Sequence, residues 1–215
     1  MKSLLANKFE NLQDTIKVFL SKLLHRFSLT CDIWTDSGLK NAYLGVTLHF
    51  VDAEANLRRV FLGLRQLNGS HTSSLIRRET EKLLQEYGLT FSSAFKVVTD
   101  GGSNVVKGFN DDRSVILTIV DEEEMEEDEI QEDVESDYER LDLLIRQIFS
   151  NSLLTDSRHI AMLAMEVLAI PATSAPIEKV FSQAGMANCK HRNRTEFELL
   201  NLQLIVYCNL YVDDL

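Results

Sequence analysis

LTCDIWTDSGLKNAYLGVTLHFVDAEANLRRVFLGLRQL, residues 29–67, is the stretch that decides the fold. Within it LTCDIWT (29–35), YLGVTLHFV (43–51) and LRRVFLGLRQL (57–67) are rich in β-branched, aromatic and aliphatic residues. Such residues suit a pleated, half-buried surface. The connections are short and polar, Asp36-Ser37-Gly38 and Asp52 to Asn56. Three strands in succession with connections this short predict an antiparallel meander.

Upstream, residues 5–26 read as a helix. Phe9, Leu12, Ile16, Phe19, Leu20, Leu23 and Leu24 recur at threes and fours and make one apolar stripe. Downstream, residues 72–87 switch to helical period through Leu75, Ile76, Leu83, Leu84 and Tyr87. Ser70 or Thr72 can cap that helix and Gly88 stops it. FKVVT (95–99) reads as a buried strand, Asp100-Gly101-Gly102-Ser103 as a turn, and Asn104–Phe109 as the start of a helix. SVILTIV (114–120) reads as a fifth strand. The order is β-β-β-α-β-α-β followed by helices. With the fourth strand parallel beside the first, this is an α/β, RNase H-like mixed sheet flanked by helices.

The chain has 215 residues and a net charge of −11. Residues 121–137, DEEEMEEDEIQEDVESD, hold 12 acidic residues and no basic one, so the remainder is near neutral. No general basic field of the kind that binds DNA over a whole surface is expected. The acidic run repels itself and has little to bury, so it reads as a mobile, disordered loop. Everything beyond it reads as helix. Tyr138, Leu141, Leu144, Ile145, Ile148 and Phe149 line one face. Residues 157–169 form a second helix, and a third starts near Thr173 or Ser174 with Pro176 in its first turn. The last runs from Thr195 to about Leu210, where Thr195-x-x-Glu198 fits a capping box. The expected division is an N-terminal helix over 1–27, the first part of the core over 28–120, the acidic loop over 121–137 and a helical region over 138–215.

Three cysteines, Cys31, Cys189 and Cys208, show no metal-ligand spacing and point to a reducing compartment. No apolar run is long enough to span a membrane, and the early acids and amides of MKSLLANKFENLQD do not suit a secretory signal.

An RNase H-like fold that cuts phosphodiesters needs an acid on the first strand, one at the end of the fourth and a third on a later helix. Three carboxylates can then hold two divalent metals, one activating a nucleophilic oxygen and the other stabilising the leaving oxygen. Asp32 sits inside the first strand, where an acid among apolar neighbours is costly unless paired. Asp100 ends the fourth strand before a Gly-Gly turn, and Glu178 lies in the first turn of the helix at Pro176. Taken singly, each has an ordinary reading as a turn residue or a helix-dipole partner. Hard oxygen ligands suit Mg2+ or Mn2+.

Residues 29–51, together with VVTDGGSNVVKGF (97–109), resemble the stretches around the first two catalytic acids of hAT-family transposases. EVLAIPATSAPIEKVFSQAG (166–185) resembles the C-terminal dimerisation block of that family, and KHRNRTEFELLNLQLIVYCN looks like its continuation. The resemblance implies a catalytic and metal-binding triad of Asp32, Asp100 and Glu178. It also implies subunit association through the C-terminal block, with Val180, Phe181, Leu200, Leu204 and Tyr207 as the apolar candidates.

The departures bear on activity. The resemblance implies a BED-type zinc finger, and Cys31 has no partner at finger spacing. It also implies a long helical insertion before the third acid, yet Asp100 and Glu178 are only 178 − 100 = 78 residues apart, and the acidic run and two helices take up most of that gap. Ile177 and Lys179 flank Glu178 where Ser and Arg are usual. Lys190, His191, Arg192 and Arg194 are the remaining basic cluster, and DNA contact through them is expected to be weak. Two readings follow. One is a transposase-derived protein that no longer transposes and acts by pairing with itself or a related transposase-like protein, in the nucleus by family analogy. The other is a nuclease or strand-transfer enzyme using Mg2+ or Mn2+.

Overall fold

A computed structural model describes residues 2–35, 41–99, 102–109, 115–118, 158–172, 174–187 and 197–210. The three strands of the meander are β1 (Phe27–Thr35), β2 (Ala42–Val51) and β3 (Leu57–Leu67), preceded by α1 (Lys2–Leu20). Then follow α2 (Ser73–Glu86), β4 (Ala94–Thr99), α3 (Ser103–Phe109) and β5 (Val115–Thr118). The C-terminal helices are α4 (Arg158–Leu168), α5 (Ala175–Ala187) and α6 (Phe197–Cys208). The expected acidic loop at 121–137, the helix around Tyr138–Phe149 and the capping threonine Thr195 lie outside the described residues.

The sheet order is β3-β2-β1-β4-β5. β1 pairs antiparallel with β2 and parallel with β4, and β4 pairs parallel with β5. This is the RNase H-like mixed sheet expected from the element order. Strand alternation sends Leu29 and Cys31 of β1 to one face with Leu44, Val46 and Leu48 of β2, all fully buried. That face is covered by α1 and α2. Phe19 of α1 meets the Phe50 ring, and the Cys31 thiol sits against the Thr80 hydroxyl of α2. Thr72 caps α2 by accepting from the Leu75 N–H.

The opposite face carries α4 and α5. Gly45 is the close-approach point: a Cβ there would lie 2.8 Å from Phe181 Cε1 and 2.9 Å from Ile177 Cδ1. No side chain fits at position 45 unless α5 lifts. α4 sits on a smaller core of its own, with Met165 and Ala169 against Val51 and Ala55. Glu166 ties it down through both the Arg26 N–H (3.1 Å) and the Arg26 guanidinium (2.5 Å).

α6 runs along the free edge of β3. The ladder shifts register between Val46 and Thr47, so β3 carries one extra residue, Leu62. Gly63 follows at φ +141°, a backbone conformation that side chains rarely adopt. Tyr87 donates its hydroxyl to the Leu62 carbonyl, so the irregular residue keeps a hydrogen-bond partner.

Candidate catalytic face and association surface

The α5 face of β1 and β2 is polar for a buried surface. Ser28, Thr30 and Asp32 alternate along β1, and Thr47 and His49 lie on β2 beside them. All five are buried. The Thr30 hydroxyl and His49 Nε2 are 2.9 Å apart. Burial first, and then the charge of Arg59, push the His49 pKa down to about 4, so the ring is neutral at physiological pH. The hydroxyls of Ser28 and Thr47 have no hydrogen-bond partner among the described residues. His49 and the two hydroxyls drew no attention in the sequence, although polar residues at every second position of an apolar strand were a visible signal.

Asp32 is 9% exposed and accepts the Ile33 N–H at 2.6 Å through Oδ1. Its register partner on β2 is Gly45, the residue over which Ile177 and Phe181 of α5 are packed. Glu178 stands one position on from Ile177, about 100° round the helix. It is exposed, and its Oε1 accepts the Ser174 hydroxyl at the start of α5. The fold thus sets α5, which carries Glu178, on the Asp32 face of the sheet. On the other side of β1, Thr30 pairs with Val98 of β4. Asp32 and Asp100 each stand two positions further along the sequence from that pair, but Asp100 itself lies outside the described residues. Among the described residues no three acids, histidines or cysteines form a metal-holding group.

Two family models match the chain. The ZBED1 RNase-like domain covers residues 30–111, and the hAT family C-terminal dimerisation region covers residues 158–210. Together the two matches relate this chain to hAT-family transposases. It is 34% identical over 83 residues to the transposable element Hobo transposase of Drosophila melanogaster, covering 38% of this chain and 13% of that protein. It is 31% identical over 97 residues to a Talaromyces stipitatus protein described as a transcriptional regulator, tpeD, covering 44% of this chain and 11% of that protein. The matches therefore span only about a tenth of the length of these curated relatives.

The hAT dimerisation region corresponds to α4, α5 and α6. Of the five apolar residues proposed for pairing, Val180, Phe181, Leu200 and Leu204 are buried in this chain's own core. They close the sheet face and edge, so as placed they present nothing to a partner. Tyr207 is 58% exposed and remains on the surface. The residues that face outward were not singled out in the sequence. Besides Met186 and Leu210, they are Ile160, Leu163 and Val167 of α4, exposed at 71%, 50% and 49%. At spacings of three and four they form one stripe, opposite the buried Ala161, Met165 and Ala169. The sequence signal was available: in RHIAMLAMEVL the only charged residues are Arg158 and Glu166, too few for a helix with a solvated face. Lys190, His191, Arg192 and Arg194 lie outside the described residues. No described helix is long and apolar enough to cross a membrane.

Proposed function

We propose that this hAT-derived chain works as a self-association module and does not move DNA. The observation that carries this reading is the outward apolar stripe of α4, Ile160, Leu163 and Val167, within the stretch matched by the dimerisation region. A helix apolar on two opposite faces has one face on its own domain and needs a second cover. A second copy of the chain supplies one, since a two-fold axis lets the same stripe cover itself. The short interval between Asp100 and Glu178 supports the loss of transposition, because it leaves little room for a DNA-gripping insertion. Residence in the nucleus accords with relatives described as a transposase and a transcriptional regulator. Sedimentation equilibrium at tens of micromolar tests the proposal. The wild type is expected to dimerise and Leu163→Glu to remain monomeric with an unchanged circular dichroism spectrum. A monomeric wild type ends the proposal.

A second reading has its own support. The packing of α5 over Gly45 puts the helix of Glu178 on the face that buries Asp32. Carboxylates at Asp32, Asp100 and Glu178 are the hard oxygen donors that Mg2+ or Mn2+ prefer, and a bound metal pair would supply Lewis-acid activation for phosphodiester cleavage. In that reading the chain's own parts do the positioning. β1 fixes Asp32, and α5 is held to the sheet by Ile177 and Phe181. Calorimetric titration of Mn2+ decides it: saturable binding that is lost in Asp100→Asn supports a converged triad, and equal weak heats in both proteins reject it.

A further inference from the structure

Beside α5, along the open edge of the sheet, lie two adjoining hollows of about 450 and 430 Å3. They share Arg59 and Pro176, so they form one trough with two lobes. The first lobe has apolar walls from Phe61, Val180, Tyr207 and Leu210, and Lys179 on its rim. The second is lined by His49, Leu57 and Arg58. No acidic residue lines either lobe among the described residues. Arg58 is held by Asp52, whereas Arg59 and Lys179 are exposed and have no ion pair among the described residues. In a chain of net charge −11 this is a local cationic surface. On its floor Thr47 is almost wholly buried, and its hydroxyl has no partner among the described residues.

The trough also borders backbone groups that have no partner among the described residues. Asn209 bonds both the N–H (2.9 Å) and the carbonyl (2.8 Å) of Phe61, so the Phe61–Thr47 pair directs its peptide groups away from β2. Residues two and four positions back along the same uninterrupted ladder share that orientation. Those are Arg59, opposite His49, and Leu57, opposite Val51. The bond from the Asp52 N–H to the Asn56 carbonyl at the far end of the hairpin fixes the same phase independently. α6 thus covers the edge from Phe61 onward, through Asn209 and through Asn201 on the Leu64 N–H. It leaves the first residues of β3 open, with Leu57 59% exposed.

We propose that this half-open edge is a docking site for an extended acidic peptide with one large apolar side chain, added as a strand beside Leu57–Val60. Outward peptide groups at Leu57 and Arg59 bond its backbone. Arg59 and Lys179 take its carboxylates, and the lobe of Phe61, Val180, Tyr207 and Leu210 takes its apolar anchor. None of Ile160, Leu163 and Val167 lines the trough, and the site does not depend on self-association.

The test is fluorescence anisotropy of the full chain with a labelled synthetic peptide of alternating Glu and Val around a central Trp. Saturable binding is expected, weakened about tenfold or more by Arg59→Glu or Lys179→Glu. Arg59→Gln serves as the milder variant should charge reversal disturb the fold. Binding is expected to be abolished when alternate peptide nitrogens are methylated. The amides of Leu57 and Arg59 are expected to gain protection from hydrogen exchange. Binding indifferent to both charge reversals, retained by the methylated peptide, or matched by the same peptide with Lys for Glu overturns the proposal. So does a short DNA duplex that binds through Arg59 and Lys179 where the peptide does not, which would assign the trough to nucleic acid.

Discussion

His49 shows what a single residue contributes to the polar face of the sheet. Its ring lines the same hollow as Pro171, Ala172 and Pro176 and meets the Thr30 hydroxyl. Burial, with Arg59 adding to it, holds its pKa at about 4 against an ordinary 6.5. Because the folded value is the lower one, the unfolded chain takes up a proton between pH 6.5 and about 4 that the folded chain resists. The stability is therefore fully present above pH 6.5 and declines as the pH falls toward 4, by on the order of 3 kcal/mol. Urea unfolding at pH 7 and pH 4.5 should show a steeper loss for the wild type than for His49→Gln. At this scale the sequence was partly legible. Asp32 stood out because an acid inside LTCDIWT has to be accounted for, and it proved to be buried on the face that α5 covers. His49 did not stand out, since one histidine in YLGVTLHFV could equally have pointed to solvent. Only the register, which sets it opposite Ser28 and Arg59, shows what surrounds it.

At the scale of elements, α6 does for β3 what a sixth strand would do. Asn201 on the helix and Asn209, one residue past its end, reach Leu64 and Phe61 on either side of the extra residue Leu62. Asn209 is fully buried, so Asn209→Ala leaves a backbone N–H and a carbonyl of Phe61 without partners. The expected cost is about 2–4 kcal/mol, and about half that for Asn201→Ala, which frees one N–H. Urea midpoints of the two variants check both the size and the order. Strand positions were legible from residue type: β3 was read as 57–67 and is Leu57–Leu67. The first helix was read to 26 but ends at Leu20. Leu23 and Leu24 continue the apolar period. The backbone instead tightens to i–3 bonds at Lys22 and Leu23, because the chain must turn to enter β1 at Phe27. Periodicity reports which side chains face the core, and it is silent on where the hydrogen-bond ladder stops.

At the scale of the whole molecule, the described residues form two cores of unequal size, and this sets how the parts respond to damage. The sheet, α1, α2, α5 and α6 share the large one, whereas among the described residues α4 shares a small one in which Met165, Leu168 and Ala169 meet Val51 and Ala55. So small an apolar contact leaves the Arg26–Glu166 clamp a large share of the work of holding α4. Burial raises the Glu166 pKa, but the bonds from the Arg26 side chain and backbone outweigh it and hold the carboxyl below its usual range. Glu166→Gln keeps the shape and removes the charge. Arg26 is half exposed, so solvent screens the pair and the expected loss is about 1–2 kcal/mol. That loss should appear locally: amides of 160–168 exchange about tenfold faster, while those of β1 and β2 keep their protection. The sequence could not foretell this division, because Arg26 and Glu166 meet only through the fold. If α4 is also the association surface, the same variant must weaken dimerisation without touching the stripe of Ile160, Leu163 and Val167, since a loosened helix presents its stripe for less of the time. Hydrogen exchange and sedimentation on Glu166→Gln therefore have to move together. Faster exchange in α4 with an unchanged dimer constant would mean that the copies meet elsewhere, and Tyr207 on α6 would be the next residue to change.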